Sequence, residues 1–158
     1  MRKLIFVFLT ISAFWANLPQ SFGVIYVTRD TSWTGNVLLS QDVVVKSGFS
    51  LTIQPGTQLR MNYGISIVTE TGATILMPGT AAQPIRVSPS QPAQYWGNIH
   101  AKGIGSSLDM TFVESIGGQI KATDSALCDV RDCILRDYNL YDNPILLTKN
   151  ASNVYVSR

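Results

Sequence analysis

LTIQPGTQL, residues 51–59, is followed by TILMPGTAA, residues 74–82. The triplet Pro55-Gly56-Thr57 returns as Pro78-Gly79-Thr80, each time between two short apolar runs. In both, Pro at the second turn position presets φ, and Gly at the third supplies the positive φ of a type II turn. The two triplets are therefore expected to make equivalent corners, with Gly56 and Gly79 both left-handed. Ser47-Gly48 and Thr71-Gly72 repeat the preceding corner at nearly the same interval.

Between the corners runs a unit of apolar, polar and apolar residues. It appears as Leu51-Thr52-Ile53, Leu59-Arg60-Met61, Ile65-Ser66-Ile67, Ile85-Arg86-Val87 and Val154-Tyr155-Val156. Alternation puts the outer two side chains on one face and the middle one on the other. Leu51, Ile53, Leu59, Ile65, Ile67, Ile75, Ile85, Val87 and Ile99 are thus expected to point inward. Thr52, Arg60, Ser66 and Arg86 are expected to point outward. Corner, strand, corner, strand at a period of roughly 20 to roughly 50 residues is the pattern of a solenoid, whose coils bury their apolar residues only by stacking. The leucine-rich frame is missing, and so is helical periodicity. What remains is an all-β, right-handed parallel β-helix of irregular coils. Residues 24–158 suffice for about six coils at about 4.8 Å each, a rod of about 28 Å.

The run from Asp42 to Thr57, DVVVKSGFSLTIQPGT, resembles the opening coil of secreted bacterial right-handed β-helix proteins of the pectin-lyase-like kind. Tyr95-Trp96-Gly97-Asn98-Ile99 is similar to a strand entry a few coils later, and Ser107-Leu108 and Ser125-Ala126-Leu127 look like further coils. The resemblance covers roughly residues 37 to 158. It implies the fold. It does not select an activity, because that fold carries lyases, hydrolases, adhesins, stalks and coat proteins.

Residues 1–23 read as a signal peptide. Arg2-Lys3 precedes an apolar run from Leu4 to Trp15 broken only by Thr10 and Ser12, and Ser21-Phe22-Gly23 offers small residues for cleavage after Gly23. That run is too short to span a bilayer, which takes roughly 20 apolar residues, and no later run is long enough. The address is secreted or cell surface. The chain has 12 basic and 10 acidic residues, and removing Arg2 and Lys3 leaves the two signs equal. A neutral chain without a basic stripe argues against nucleic acid as a partner. A polysaccharide or the cell envelope remains as partner. At the near end, Val24-Ile25-Tyr26-Val27 and Trp33 are expected to cap the first coil. At the far end, Val154-Tyr155-Val156 lacks a polar closing element. That predicts a rod continued in a longer protein, and end-to-end self-association of the isolated piece.

Seven of the ten acids fall between Asp109 and Asp142. Asp109 and Asp129 are one coil apart along the chain and can stack on adjacent coils, with Arg131 and Asp132 beside them. Carboxylates so placed bind calcium or cleave glycosidic bonds; for a lyase, the resemblance implies an arginine or lysine base on the outer face, and Arg131, Arg136 and Lys121 are nearby. The competing reading is a solvated face whose charges pair loosely. No lyase motif matches residue by residue, so no catalytic position and no cofactor is assigned; calcium enters only if the chain is an enzyme. His100 is expected to point outward as surface. Trp96 is expected to fill the core, and Tyr95, Tyr138 and Tyr141 are either structural or a stacking surface for sugars. Asn150-Ala151-Ser152 is a sequon. Cys128 and Cys133 are expected to be small core residues. The function so indicated is a non-catalytic extracellular scaffold: a stalk, surface or carbohydrate-contacting module. The alternative is a polysaccharide lyase or hydrolase of the pectin-lyase-like superfamily.

Overall fold

The computed structural model describes residues 23–136, 146–149 and 153–157, and for 147–149 and 153–157 the backbone alone. Residues 1–22, Asp137, Tyr138, Tyr141, Asp142, residues 150–152 and the side chains of Val154-Tyr155-Val156 lie outside the described residues.

Each turn of the chain lays down three short strands. The first coil holds β1 (Val24–Val27), β2 (Thr31–Trp33) and β3 (Asn36–Leu39). The second holds β4 (Asp42–Val45), β5 (Ser50–Ile53) and β6 (Gln58–Met61). The third holds β7 (Ile67–Thr69), β8 (Thr74–Pro78) and β9 (Ile85–Pro89). The fourth holds β10 (Asn98–Lys102), β11 (Ser107–Thr111) and β12 (Val113–Ile116). The fifth holds β13 (Gln119–Thr123), β14 (Leu127–Arg131) and β15 (Ile134–Arg136), and β16 (Leu146–Lys149) and β17 (Asn153–Ser157) begin a sixth. Strands of equal rank stack in parallel into sheet A (β1-β4-β7-β10-β13-β16), sheet B (β2-β5-β8-β11-β14-β17) and sheet C (β3-β6-β9-β12-β15). The fold is all-β, a parallel β-helix. Among the described residues no helix is long and apolar enough to cross a membrane.

Alternation decides what faces in. Leu51, Ile53, Leu59, Ile65, Ile67, Ile75, Ile85, Val87 and Ile99 are all buried, while Arg60 and Arg86 are exposed. Thr52 and Ser66 are partly exposed, on the outer side. Because register is in phase from coil to coil, like residues stack on like: Val43, Ile67, Ile99 and Ile120 form one apolar column, and Leu51, Ile75, Leu108 and Cys128 another. The polar groups drawn inside are satisfied at the corners. Thr57 Oγ1 donates to the Gln54 carbonyl at 2.6 Å, and Ser106 Oγ donates to that of Lys102 at 2.6 Å.

Coil length varies with the loops. Register carries Ser50 to Thr74, Thr74 to Ser107 and Ser107 to Leu127, so the middle step is the longest and the last the shortest. The extra length of the third coil includes the loop between β9 and β10, which swings Trp96 into the core. Its Nε1 donates to the Ile116 carbonyl at 2.7 Å, and its ring lies where a Cβ on Gly118 would be 2.1 Å away. The Gly117-Gly118 corner is therefore shaped by a side chain of the coil before it.

Two sequence expectations fail here. Pro55-Gly56-Thr57 and Pro78-Gly79-Thr80 are not equivalent. Ser50 pairs with Thr74 and Thr52 with Leu76, which continues to Gln54 opposite Pro78, one residue out of step with the triplets. Gly56 has φ +78°, but Pro78 still belongs to β8, and Gly79 is not left-handed. A different corner does repeat: Gly48, Gly72 and Gly105 have φ of +78°, +74° and +74°, and Ser125 takes the same place with φ +65°. The second failure is the cap. Val24–Val27 and Trp33 lie in β1 and β2, the first rungs of sheets A and B. Ile25 pairs with fully buried Val43 yet is itself 39% exposed, and among the described residues no strand lies below it.

Candidate functional site

Three of the four residues singled out by the sequence, Asp109, Asp129 and Arg131, sit on the outer face of sheet B. β11 and β14 pair Asp109 directly with Asp129, so the two carboxylates form a ladder on adjacent coils. Two like charges so placed repel, and Arg131 relieves them. It follows Asp129 on the same outer face of β14 and reaches back one coil. Its Nη2 donates to both Asp109 oxygens, at 2.9 and 3.0 Å, and its Nε approaches Asp129 Oδ1 at 3.4 Å. The hydrogen bond to Asp109, then the charges of Asp109 and Asp129, hold the guanidinium above its ordinary pKa. Asp132 stands apart from the ladder and acts on Arg131 only through its charge. It makes the corner between β14 and β15, with φ +52°.

Among the described residues the wider charged third does not converge either. Lys121 is on sheet A, Arg131 on sheet B and Arg136 on sheet C. A single short coil visits all three faces, so charges close in sequence are dealt around the rod. Calcium takes six to eight oxygens. Here both oxygens of Asp109 are engaged by a cation, and among the described residues no group of three or more His, Cys, Asp or Glu converges. The ladder does not fit that ion.

Sheet A carries a further concave surface, which the sequence reading missed. Val44 and Val68 floor an open groove of about 540 Å³, bounded by Glu70, Thr71, Lys102 and Asp124. Beside it His100 points outward, as expected, but it is half-buried. Its Nε2 lies 2.8 Å from Thr123 Oγ1, which in turn donates to Asp124 Oδ2 at 3.2 Å. Burial first, then the charges of Lys121 and Lys102, push His100 below its ordinary pKa. The imidazole is thus held neutral near pH 7, with Lys121 as its register partner on the next coil. His100 and Lys121 are distant in sequence, and only the coil length places them side by side.

No family model matches the sequence, and no curated protein or solved structure matches the chain.

The remaining expectations can be placed. Trp96 is core, and Tyr95 is partly exposed. Cys128 and Cys133 are free thiols. Cys128 is fully buried, and burial pushes its pKa up to about 12, so it has no thiolate character at neutral pH. Cys133 departs from the core expectation. It is partly exposed at the β14–β15 corner, where its Sγ lies 3.1 Å from the Arg131 carbonyl.

Proposed function

We propose that this chain is a non-catalytic extracellular β-helix scaffold, a stalk, surface or carbohydrate-contacting module. The observation that carries the reading is how the outer charges are used. The ion pairs Lys46–Glu70, Arg86–Glu114 and Arg131–Asp109 each join one coil to the next. Neutral pairs do the same: Gln54 donates to Ser32, and Thr74 meets Ser107, while the Asp30 carboxylate accepts from the Ser50 hydroxyl. Charged side chains that hold neighbouring coils in register are unavailable for acid–base work, and a rod joined in this way serves to span and present. The extracellular address rests on residues 1–23. The resemblance to pectin-lyase-like proteins supports the compartment and leaves the activity open.

The groove beside His100 favours a second reading, a polysaccharide lyase or hydrolase, because a neutral imidazole is the form that accepts a proton. One experiment separates the two. The protein is expressed with its leader, recovered from the medium or cell surface, and sequenced from its N-terminus. It is then incubated with polygalacturonate, pectin and alginate, with and without calcium. The scaffold reading expects Val24 at the N-terminus, no new reducing ends and no unsaturated uronate. Turnover that disappears in His100→Gln would replace it with the enzyme reading. Retention of the protein in the cytoplasm would remove the extracellular address.

A further inference from the structure

Among the described residues, no strand pairs with β1, β2 or β3 on the side away from the second coil. Their inward residues reflect it. Ile25, Thr31, Trp33 and Val37 all keep some exposure, while the residues they pair with one coil up, Val43, Leu51, Ile53 and Leu59, are fully buried. A hollow of about 270 Å³ lies among first-coil residues, with Ile25, Val27, Thr31 and Trp33 in its wall. Proteins ordinarily blunt such edges with charged side chains or proline. These three strands read VIYV, TSW and NVLL, without a charge or a proline.

The backbone groups are aimed as well. The Val27, Trp33 and Leu39 carbonyls accept from the amides of Lys46, Gln54 and Asn62 in the second coil. In a parallel strand every second residue bonds a given neighbour, so the N–H and C=O groups of Tyr26, Ser32 and Leu38 point the other way, off the end of the rod. We propose that a second copy of this chain docks there, near end to near end, about a two-fold axis through β2. A coil climbs about 4.8 Å per turn, so its three edges stand at rising heights. An axis through the middle strand sets the lowest strand of each copy against the highest of the other, which makes all three gaps equal. A lone peptide pairs with one edge only. In this arrangement β2 pairs antiparallel with β2 of the second copy, centred on Ser32, and β1 pairs with β3. The chain from Val27 to Thr31 is as long as that from Trp33 to Val37. One register therefore sets Ile25 beside Leu39 on the inner side and Tyr26 beside Leu38 on the outer side. It accounts for two outward apolar side chains, Tyr26 and Leu38, that are 57% and 56% exposed. Three strands of four, three and four residues fall short of the roughly 20–30 residues a side of a standard interface, so the dimer is reversible. The inference rests on the removal of residues 1–23 in the extracellular reading.

The test is sedimentation equilibrium of the secreted protein from about 1 µM to about 1 mM, where a reversible monomer–dimer equilibrium is expected. Ser32→Pro takes away an N–H that the coil itself leaves unbonded, and should give monomer alone. Leu38→Ser should weaken association by about tenfold or more, because two-fold symmetry counts the lost contact twice. Ile104→Ser, at a fourth-coil corner where the side chain is 73% exposed, is the control and should stay within about twofold of the parent. Circular dichroism checks that every variant is folded. Monomer at every concentration, growth into oligomers longer than a dimer, or a dimer that Leu38→Ser leaves unchanged would overturn the proposal. Recovery of the chain with residues 1–23 still attached would overturn the extracellular reading instead, and its sedimentation would still decide whether this end pairs.

Discussion

At the corner after β5, Gly56 has φ +78°, and the nearest atom to a Cβ built on it would be Gln83 Cβ at 3.8 Å. At the corner after β8, Gly79 lacks the left-handed conformation, but a Cβ there would lie 2.5 Å from the Phe112 carbonyl oxygen and 2.7 Å from that of Thr111. The same Pro-Gly-Thr triplet thus uses its glycine for two purposes. The first needs a backbone conformation that a side chain disfavours. The second needs space, because the next coil passes directly over it. A repeated triplet is therefore a guide to the number of corners but not to their register, and the stacking of neighbours decides what each glycine is for.

The sharpest extension of this comparison is Gly118, where the space is filled by an aromatic ring. Gly118→Val should cost about 3 kcal/mol or more, since Trp96 would have to leave both its cavity and its hydrogen bond; chemical denaturation with tryptophan fluorescence reads both effects. Gly79→Ala should follow at about 3 kcal/mol, because the obstructing atoms are backbone and cannot turn aside. Gly56→Ala should cost only about 1–2 kcal/mol, the strain of a left-handed alanine in open space. Equal melting curves for the two alanine variants, or the reverse order, would break the distinction between space and conformation.

Smaller effects test the outer faces. The folded state holds the His100 pKa below its ordinary 6.5, so the unfolded chain binds the proton first as pH falls. His100 should therefore add full stability above about pH 6.5 and progressively less below it, down to its lowered folded value. Melting at pH 7.5 and 5.5 should differ by about 2 °C more in the parent than in His100→Gln. A parent and variant that lose stability in parallel would show that other groups carry the pH dependence. Arg131→Gln should have the smallest effect, a shift below about 1 °C, because the pair with Asp109 is open to water and screened by salt. A larger loss would mean that Asp109 and Asp129 depend on Arg131 to share one face.

Much of the fold could be read from the residues. Leu51-Thr52-Ile53 and Leu59-Arg60-Met61 announce two-sided strands, and no register other than the observed one keeps Arg60 and Arg86 out of the core. The step from Gly48 to Gly72 is real. It is visible because both glycines stand two residues before positions that pair, Ser50 and Thr74. After Pro78 the coils first lengthen and then shorten, and Ser125 replaces glycine in the same left-handed place, so the repeat fades from the sequence while persisting in space. The candidate site was legible in part for the same reason. Asp109 and Asp129 stand one short coil apart and do stack, but Asp132, close behind Asp129 in sequence, is already around the corner.

By itself the sequence determined the alternation, the glycine-marked corners, and hence a rod of stacked parallel strands. These depend on local preferences: the two-residue period of a strand and the conformations open to glycine. Tertiary structure alone decided which residues meet across coils. It made Gly79 and Gly118 sites of close approach, set His100 beside Lys121, bound Arg131 to Asp109, and gathered three arginines on sheet C. Those meetings depend on coil length, which is set by loops whose excursions leave no periodic trace, and a shift of one residue sends every outer side chain to the opposite face.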